Sequence, residues 1–280
     1  MQVLNLTNFE ESNIKFFINQ FPDGQQSITI GSPLKVDKLV QIKSRMNSFK
    51  DVELIICANQ ILKDLGAEKV ELYVPYFLGG RSDRKFSNGQ TNYLKNVICP
   101  IINSQGFSKV IVLDPHSDVL EACLNNFEKI NNFSLVDEAL SYLIKEDEDN
   151  KVALISPDAG ALKKIYDVAK HFGISNVTTA SKVREMSTGT ILRTQLPTMD
   201  LRGIEHIIII DDICDGGRTF IELAKAIKEI TEIPIYLIVT HGIFSAGYFE
   251  LGKYFSGVYT TNSIKDIDTD IRLVKQLNIF

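Results

Sequence analysis

Short apolar runs alternate with amphipathic segments along the chain. The stretch "VELIICANQILKDLG" sets Leu54, Ile55, Ala58, Ile61, Leu62 and Leu65 at helical spacing, and Gly66 stops it. "KVELYVPYF" follows as a strand. A second helical stretch is predicted over roughly Thr91 to Gln105, where Pro100 should kink or shorten it. "KVIVLDPHSD" is the next strand. The most polar run, Lys145 to Asn150, precedes another strand, "KVALISPDAG". A helix is predicted over Ala161–Phe172, ending at Gly173. Then come "HIIII", a helix near Thr219–Ile230, and the strands "IYLIVTHG" and "GVYTTN".

Strand–helix–strand order with continuously apolar strands implies parallel sheets covered on both faces. The pattern occurs twice. Each half has a strand running into an acidic or proline-containing loop, "VLDPHSD" in one and "IIIDDICDGG" in the other. The expected architecture is α/β, with two similar domains at residues 1–132 and 133–280, joined near Asn131–Leu135.

A length of 280 residues suits that division. Net charge is −5 and the isoelectric point about 5.5, which argues against a nucleic-acid partner. Apolar runs stay well short of the about 18 residues a membrane span needs, and no basic-then-apolar leader opens the chain. No membrane partner is expected, and a cytoplasmic location is. Cys57, Cys99, Cys123 and Cys214 are scattered without a CxxC pair, so reduced thiols are expected rather than zinc ligands or a disulfide framework.

The chemistry concentrates in "HIIIIDDICDGGRTF", His206 to Phe220. In open parallel sheets ligands sit beyond the carboxyl ends of the strands, which puts Asp211 and Asp212 at the mouth of a site. Gly216 and Gly217 permit a tight turn. Thr219 is placed as a helix N-cap, and Phe220, Leu223, Ala224, Ile227 and Ile230 as the helix's buried face. Carboxylates suit a vicinal diol, and the N–H groups of the helix start suit a phosphate. A ribose phosphate offers both. An acidic metal-binding pair, as in a receiver domain or a magnesium-dependent phosphatase, fits the aspartates on spacing alone.

With this loop the sequence resembles the ribose-phosphate pyrophosphokinases. "PYFLGGRSDRK" (Pro75 to Lys85), "LDPHSD", "SPDAG" (Ser156 to Gly160), "THGIFS" (Thr240 to Ser245) and "FPDGQ" (Phe21 to Gln25) are similar to landmarks of that family, in the same order. The resemblance implies two phosphoribosyltransferase-like domains and transfer of the β,γ-diphosphoryl group of ATP to the anomeric hydroxyl of ribose 5-phosphate, with AMP released. It implies ATP contacts from Phe21, Asp23, Gln25, Arg81, Ser82, Asp83 and Arg84. The ribose phosphate would fall to Asp211, Asp212, Asp215, Gly216, Gly217, Arg218 and Thr219. Magnesium would be met by His116 and Asp158. Lys182 and Arg184, in "SKVRE", match a mobile catalytic loop, with His116 as a further catalytic residue. The resemblance also implies a homo-oligomer, dimer or hexamer, with ATP sites shared between subunits. Read without it, His116 is a polar strand cap, Asp158 an N-cap, and the arginines and K-x-R are solvated charges.

Three positions depart from the family. Gln25 stands where Glu is usual, and Ser82 where Gln is usual. Asp215-Gly216-Gly217-Arg218-Thr219 replaces D-T-x-G-T, losing a hydroxyl and gaining a full positive charge. Arg218 could clamp a 5-phosphate, could accommodate the longer diphosphate of ADP-ribose, or could point to solvent. Some phage-encoded relatives act on ADP-ribose in NAD+ rebuilding, and "DGGRTF" looks like that branch. Two other readings stay open. A non-catalytic regulatory subunit would bind ATP without turnover. A phosphoribosyltransferase would share residues 206–220 but leave "GGRSDRK" unexplained.

Overall fold

The isoleucine run of the second half is a central strand buried on both faces, and the rest of that half is layered around it. The computed structural model describes residues 1–32, 35–144, 151–184, 191–197, 199–268 and 270–280. The polar run Lys145–Asn150 and residues Glu185–Thr190 lie outside the described residues. The chain divides into two compact units, Met1–Asn131 with Phe280, and Asn132–Ile279.

The first unit opens with β1 (Gln2–Asn5), β2 (Lys15–Gln20), β3 (Gln26–Ser32) and β4 (Leu39–Lys43). Next come α1 (Phe49–Asp64), β5 (Lys69–Tyr73), α2 (Cys99–Asn103), β6 (Lys109–Leu113), α3 (Val119–Cys123) and β7 (Phe127–Ile130). The sheet order is β1-β4-β5-β6-β7, and every pairing in it is parallel. β2 and β3 form a separate antiparallel hairpin.

Helix α1 buries Ile55, Ala58 and Leu62, the centre of the predicted stripe. It starts earlier than the pattern suggests, where the Ser48 N–H donates to Asp51 Oδ2 at 2.8 Å. The predicted helix over 91–105 is shorter and irregular. A π turn at Leu94–Ile98 runs into α2, and the Cys99 N–H reaches back to Leu94 O. Pro100 sits in the first turn of α2, where its missing N–H costs least, but a regular ladder cannot run across it.

The second unit comprises α4 (Phe133–Leu143), β8 (Val152–Ser156), α5 (Leu162–Phe172), β9 (Asn176–Thr179), β10 (Ser181–Arg184), β11 (Ile191–Gln195) and β12 (His206–Cys214). It continues with α6 (Arg218–Lys228), β13 (Ile235–Gly242), α7 (Phe249–Gly252), β14 (Gly257–Thr261) and β15 (Val274–Leu277). Six strands pair in parallel in the order β15-β14-β13-β12-β8-β9. β10 and β11 form an antiparallel pair of their own.

The period of two along β12 divides its isoleucines between two layers. Ile207 and Ile209 pack with Phe220, Leu223, Ala224 and Ile227 of α6. Ile208 and Ile210 pack with Leu135, Val136 and Ala139 of α4 and with Ile165, Val168 and Ala169 of α5. Each such fully enclosed side chain contributes about 1.5–3 kcal/mol. Helix α5 stops where Gly173 turns left-handed, as its sequence predicts. Among the described residues no helix is long and apolar enough to cross a membrane.

Candidate functional site

Strand β12 does not stop at the isoleucines: it carries the aspartate pair in its carboxyl-terminal half and runs on through Ile213 to Cys214. Asp212 is buried and Asp211 half-buried. The Asp212 N–H donates to Asp211 Oδ1 at 2.9 Å, so the backbone itself orients the first carboxylate. Burial, and then the adjacent Asp212 carboxylate, push Asp211 well above the usual carboxylate range, while Lys164 pulls it the other way. Lys164 Nζ lies 3.7 Å from Asp212 Oδ2.

Beyond the pair the chain turns into α6. The N-cap is Gly217, with φ 78, and not Thr219, which lies inside the first turn. The left-handed conformation at Gly217 lets the chain enter the helix two residues sooner than a threonine cap would. The first intrahelical bonds run from the Phe220 and Ile221 N–H groups, both to Gly217 O, so the Arg218 and Thr219 N–H groups ahead of them have no acceptor within the helix. Arg218 is exposed on this turn.

The segment after β13 braces the loop. Ser245 Oγ donates to Asp215 Oδ1 at 2.6 Å, and the Ser245 N–H to Asp215 O at 3.2 Å. The Ile243 and Phe244 N–H groups both meet Cys214 O. His241, buried at the end of β13, has Nδ1 2.8 Å from Ser263 Oγ. Burial pushes the Cys214 thiol up to about 12, so it stays protonated beneath the loop.

Strand β8 lies beside β12, with Ile155 in register with Ile209, so Asp158 shares the carboxyl edge with Asp211. Asp158 Oδ1 accepts from the Gly160 N–H at 2.9 Å and the Ala161 N–H at 3.4 Å, capping the turn that leads into α5. Lys182 and Arg184 fall on β10, opposite Thr194 and Ile191 of β11.

The first unit holds the other expected residues. Gly79 is left-handed and lies against the Tyr93 ring, where a Cβ would not fit. The loop after it is tied down by backbone groups, with the Leu94 N–H on Ser82 O at 3.2 Å and Asn92 Nδ2 on Asp83 O at 2.6 Å. Arg81 and Arg84 are exposed on this loop. Arg84 lies over the Phe86 ring at 5.5 Å, with its Nε 3.8 Å from Asp83 Oδ1. His116 is exposed after β6, on the strand next to β5, beyond a left-handed Asp114 with φ 41. In the turn between β2 and β3, Asp23 Oδ1 accepts from the Gln25 N–H at 3.1 Å, and Phe21 is 46% exposed.

Each unit thus gathers its own set. Asp211, Asp212, Asp215–Thr219 and Asp158 share the carboxyl edge of the second unit's sheet. Arg81–Arg84 and His116 follow neighbouring strands of the first. Lys164, Ser245, His241 and Ser263 escaped the sequence reading. "THGIFS" marked the segment of two of them without assigning any side chain a role. Among the described residues no cluster of three or more His, Cys, Asp or Glu could hold a metal by itself. Magnesium bound to polyphosphate keeps most of its ligands as phosphate oxygens and waters and takes only one or two from protein. Taken each by itself, the exposed imidazole of His116 and the carboxylate of Asp158 are of a type that could meet that limited demand.

The profile of the phosphoribosyl transferase domain family matches residues 125–241. The ribose-phosphate pyrophosphokinase of Saccharolobus solfataricus is 26% identical over 230 residues, covering 79% of this chain and 76% of its own. That of Sulfurisphaera tokodaii is 26% identical over 262 residues, covering 91% and 86%. Ribose-phosphate pyrophosphokinase 2 of Saccharomyces cerevisiae is 24% identical over 272 residues, covering 95% and 82%. The crystal structure of phosphoribosylpyrophosphate synthetase from Mycobacterium smegmatis superposes with a TM-score of 0.78 at 16% identity, covering 96% of this chain and 88% of that one. The fold is therefore that of a phosphoribosylpyrophosphate synthetase, with two phosphoribosyltransferase-like domains, and the sequence is similar to ribose-phosphate pyrophosphokinases over most of its length.

Proposed function

We propose that this chain is an ATP-dependent pyrophosphokinase that makes phosphoribosyl pyrophosphate and AMP from ATP and ribose 5-phosphate. One observation carries the reading. An aspartate pair near the carboxyl end of a buried strand is followed, across a short loop, by the open N–H groups of a helix start, in a chain similar to ribose-phosphate pyrophosphokinases. Asp211 and Asp212 accept from the sugar hydroxyls. The first turn of α6 holds the 5-phosphate, where backbone donors and the helix dipole favour an anion. Asp215, fixed by Ser245, sets the path of the loop between them.

In the reaction the anomeric oxygen attacks the β-phosphorus of ATP. The bond between that phosphorus and the α–β bridging oxygen breaks, AMP leaves, and the anomeric proton is lost to solvent or buffer. Such a transfer depends on alignment and on neutralising charge. Arg81 and Arg84 bind nucleotide phosphates as planar forks. Lys182 and Arg184 on β10 supply positive charge to the transferring group. Phe21, Asp23 and Gln25 face the nucleotide, with Ser82 and Asp83 shaping its pocket. Magnesium, when bound with ATP, spreads the charge of the phosphate oxygens, and His116 and Asp158 would hold its waters or the ion. A homo-oligomer of cytoplasmic location completes the proposal.

A second acceptor, ADP-ribose, is favoured by Arg218. This exposed guanidinium stands on the first turn of α6, beside an exposed Gly216. A side-chain Cβ at Gly216 would meet only Ser245 Oγ, at 3.8 Å, so the turn is uncrowded where the guanidinium and a ligand phosphate would meet. The test is AMP release from ATP and magnesium with each acceptor in turn. AMP formed with ribose 5-phosphate supports the first reading, and preference for ADP-ribose the second. No AMP with either rejects both.

A further inference from the structure

Asp212 is the more deeply buried of the two aspartates, and a cation from another element, Lys164, lies beside it. Lys164 lies on the first turn of α5 with its side chain 20% exposed, against 7% for Asp212. Lys163, its neighbour, is exposed. The 3.7 Å separation of Lys164 Nζ and Asp212 Oδ2 exceeds hydrogen-bond length, so the attraction is Coulombic and works in enclosed surroundings, where it is strong. The placement of Lys164 is rigid. Asp158 caps the turn before α5, Ser156 Oγ donates to Asp158 O at 2.7 Å, and Ile165, Val168 and Ala169 lock the helix onto β8 and β12.

The geometry points to Lys164 as a positioning residue for the sugar-phosphate acceptor, acting through Asp212. This rests on the assignment of the aspartate pair to the acceptor given above. Two adjacent carboxylates beside a phosphate-binding turn would repel the very anion the turn attracts. Lys164 cancels one of these charges and holds Asp212 Oδ2 toward α5, which leaves the pair one net negative charge facing the sugar. Asp211 also gains from it, because the lysine is the one charge nearby that favours its ionised form. Lys164 touches neither the nucleotide nor the reacting phosphorus in this assignment, so its loss should weaken acceptor use while leaving the ATP side unchanged.

The test uses the full chain and initial rates of AMP release with acceptor and ATP varied separately. Lys164→Met keeps the apolar stem and removes the charge. The acceptor KM should rise about tenfold, with kcat and the ATP KM within about threefold of the wild type. Lys164→Arg should restore the acceptor KM to within about threefold. An unchanged KM in Lys164→Met, or a joint fall of kcat and both affinities without rescue by arginine, overturns the inference. If Lys164→Met fails to fold, Asp212→Asn is compared with Lys164→Met/Asp212→Asn, which buries no lone charge. A further loss of about tenfold from removing Lys164 in the Asp212→Asn background would show that it does not act through Asp212, and no further loss would support that it does. Failure of the functional reading shows separately, as absence of AMP from the wild type. In that event titration calorimetry with ribose 5-phosphate alone decides on Lys164, with weaker binding in Lys164→Met as the supporting outcome and equal binding as the overturning one.

Discussion

Two neighbouring glycines should respond in opposite ways to the same substitution. Gly217 has φ 78, and a Cβ there would lie 3.2 Å from Leu251 Cδ2 and 3.5 Å from Leu251 Cγ. A side chain in the left-handed region costs about 1–2 kcal/mol, and the crowding against buried Leu251 adds to that. Gly217→Ala should therefore destabilise the second unit by about 2 kcal/mol, which lowers Tm by roughly 4–8 °C for a unit of this size. Gly216 has no positive φ, and its added Cβ would meet only Ser245 Oγ at 3.8 Å. Gly216→Ala should leave stability unchanged or raise it by about 0.5 kcal/mol, because alanine narrows the unfolded ensemble. Thermal and urea unfolding, followed by circular dichroism, measure both variants beside the wild type. The acceptor KM of Gly217→Ala should also rise, since the substitution displaces the first N–H groups of α6. Equal stability of the two variants would refute the reasoning, because it ties the cost to backbone conformation at one residue rather than to loop composition.

Other consequences are separable from this one. Asp211 carries a raised pKa, so the folded protein holds its proton more tightly than the unfolded chain does, and its contribution to stability falls as pH rises from about 4 through the folded pKa. Asp211→Asn should raise Tm at pH 7 to 8, with the gain shrinking toward pH 4, while the acceptor KM worsens; a pH series of melts checks the sign. Lys182→Ala should lower kcat at least about a hundredfold with the ATP KM little changed, measured by AMP release, if its charge acts on the transferring group. Arg218→Thr should shift the ratio of kcat/KM for ribose 5-phosphate over ADP-ribose, and an unchanged ratio removes Arg218 from acceptor choice.

What could be read from the chain follows the range of the forces involved. The isoleucines of β12 and the stripe Ile165, Val168, Ala169 are local patterns, so the parallel α/β layering and α5 were legible without coordinates. The aspartates that follow the isoleucine run were legible as site residues, but the strand does not stop before them: it continues to Cys214 and buries Asp212. The helix start was misplaced by two residues. Thr219 has the chemistry of a cap, but Gly217 alone accepts the conformation with which the chain enters α6. The helix over 91–105 is shortened, as Pro100 leads one to expect, but periodicity does not show the π turn at Leu94–Ile98 that runs into it. Lys164 could not be found at all. Its neighbour Lys163 is chemically the same, and only the docking of α5 on β12 tells the buried ammonium from the solvated one. Ser245 was hidden for the same reason, its partner Asp215 being remote in sequence.

The strand that carries the aspartates sits deep inside its sheet, with β13, β14 and β15 on one side and β8 and β9 on the other. Its amide protons should be among the slowest in the chain to exchange with deuterium, because releasing them requires the neighbouring ladders to open first. The lysine and arginine of β10 hang instead on a two-stranded ribbon outside that sheet. The amides paired across that single ladder should exchange sooner than those of β12, so in the proposed assignment the grip on the sugar and the delivery of positive charge belong to ladders of unequal durability.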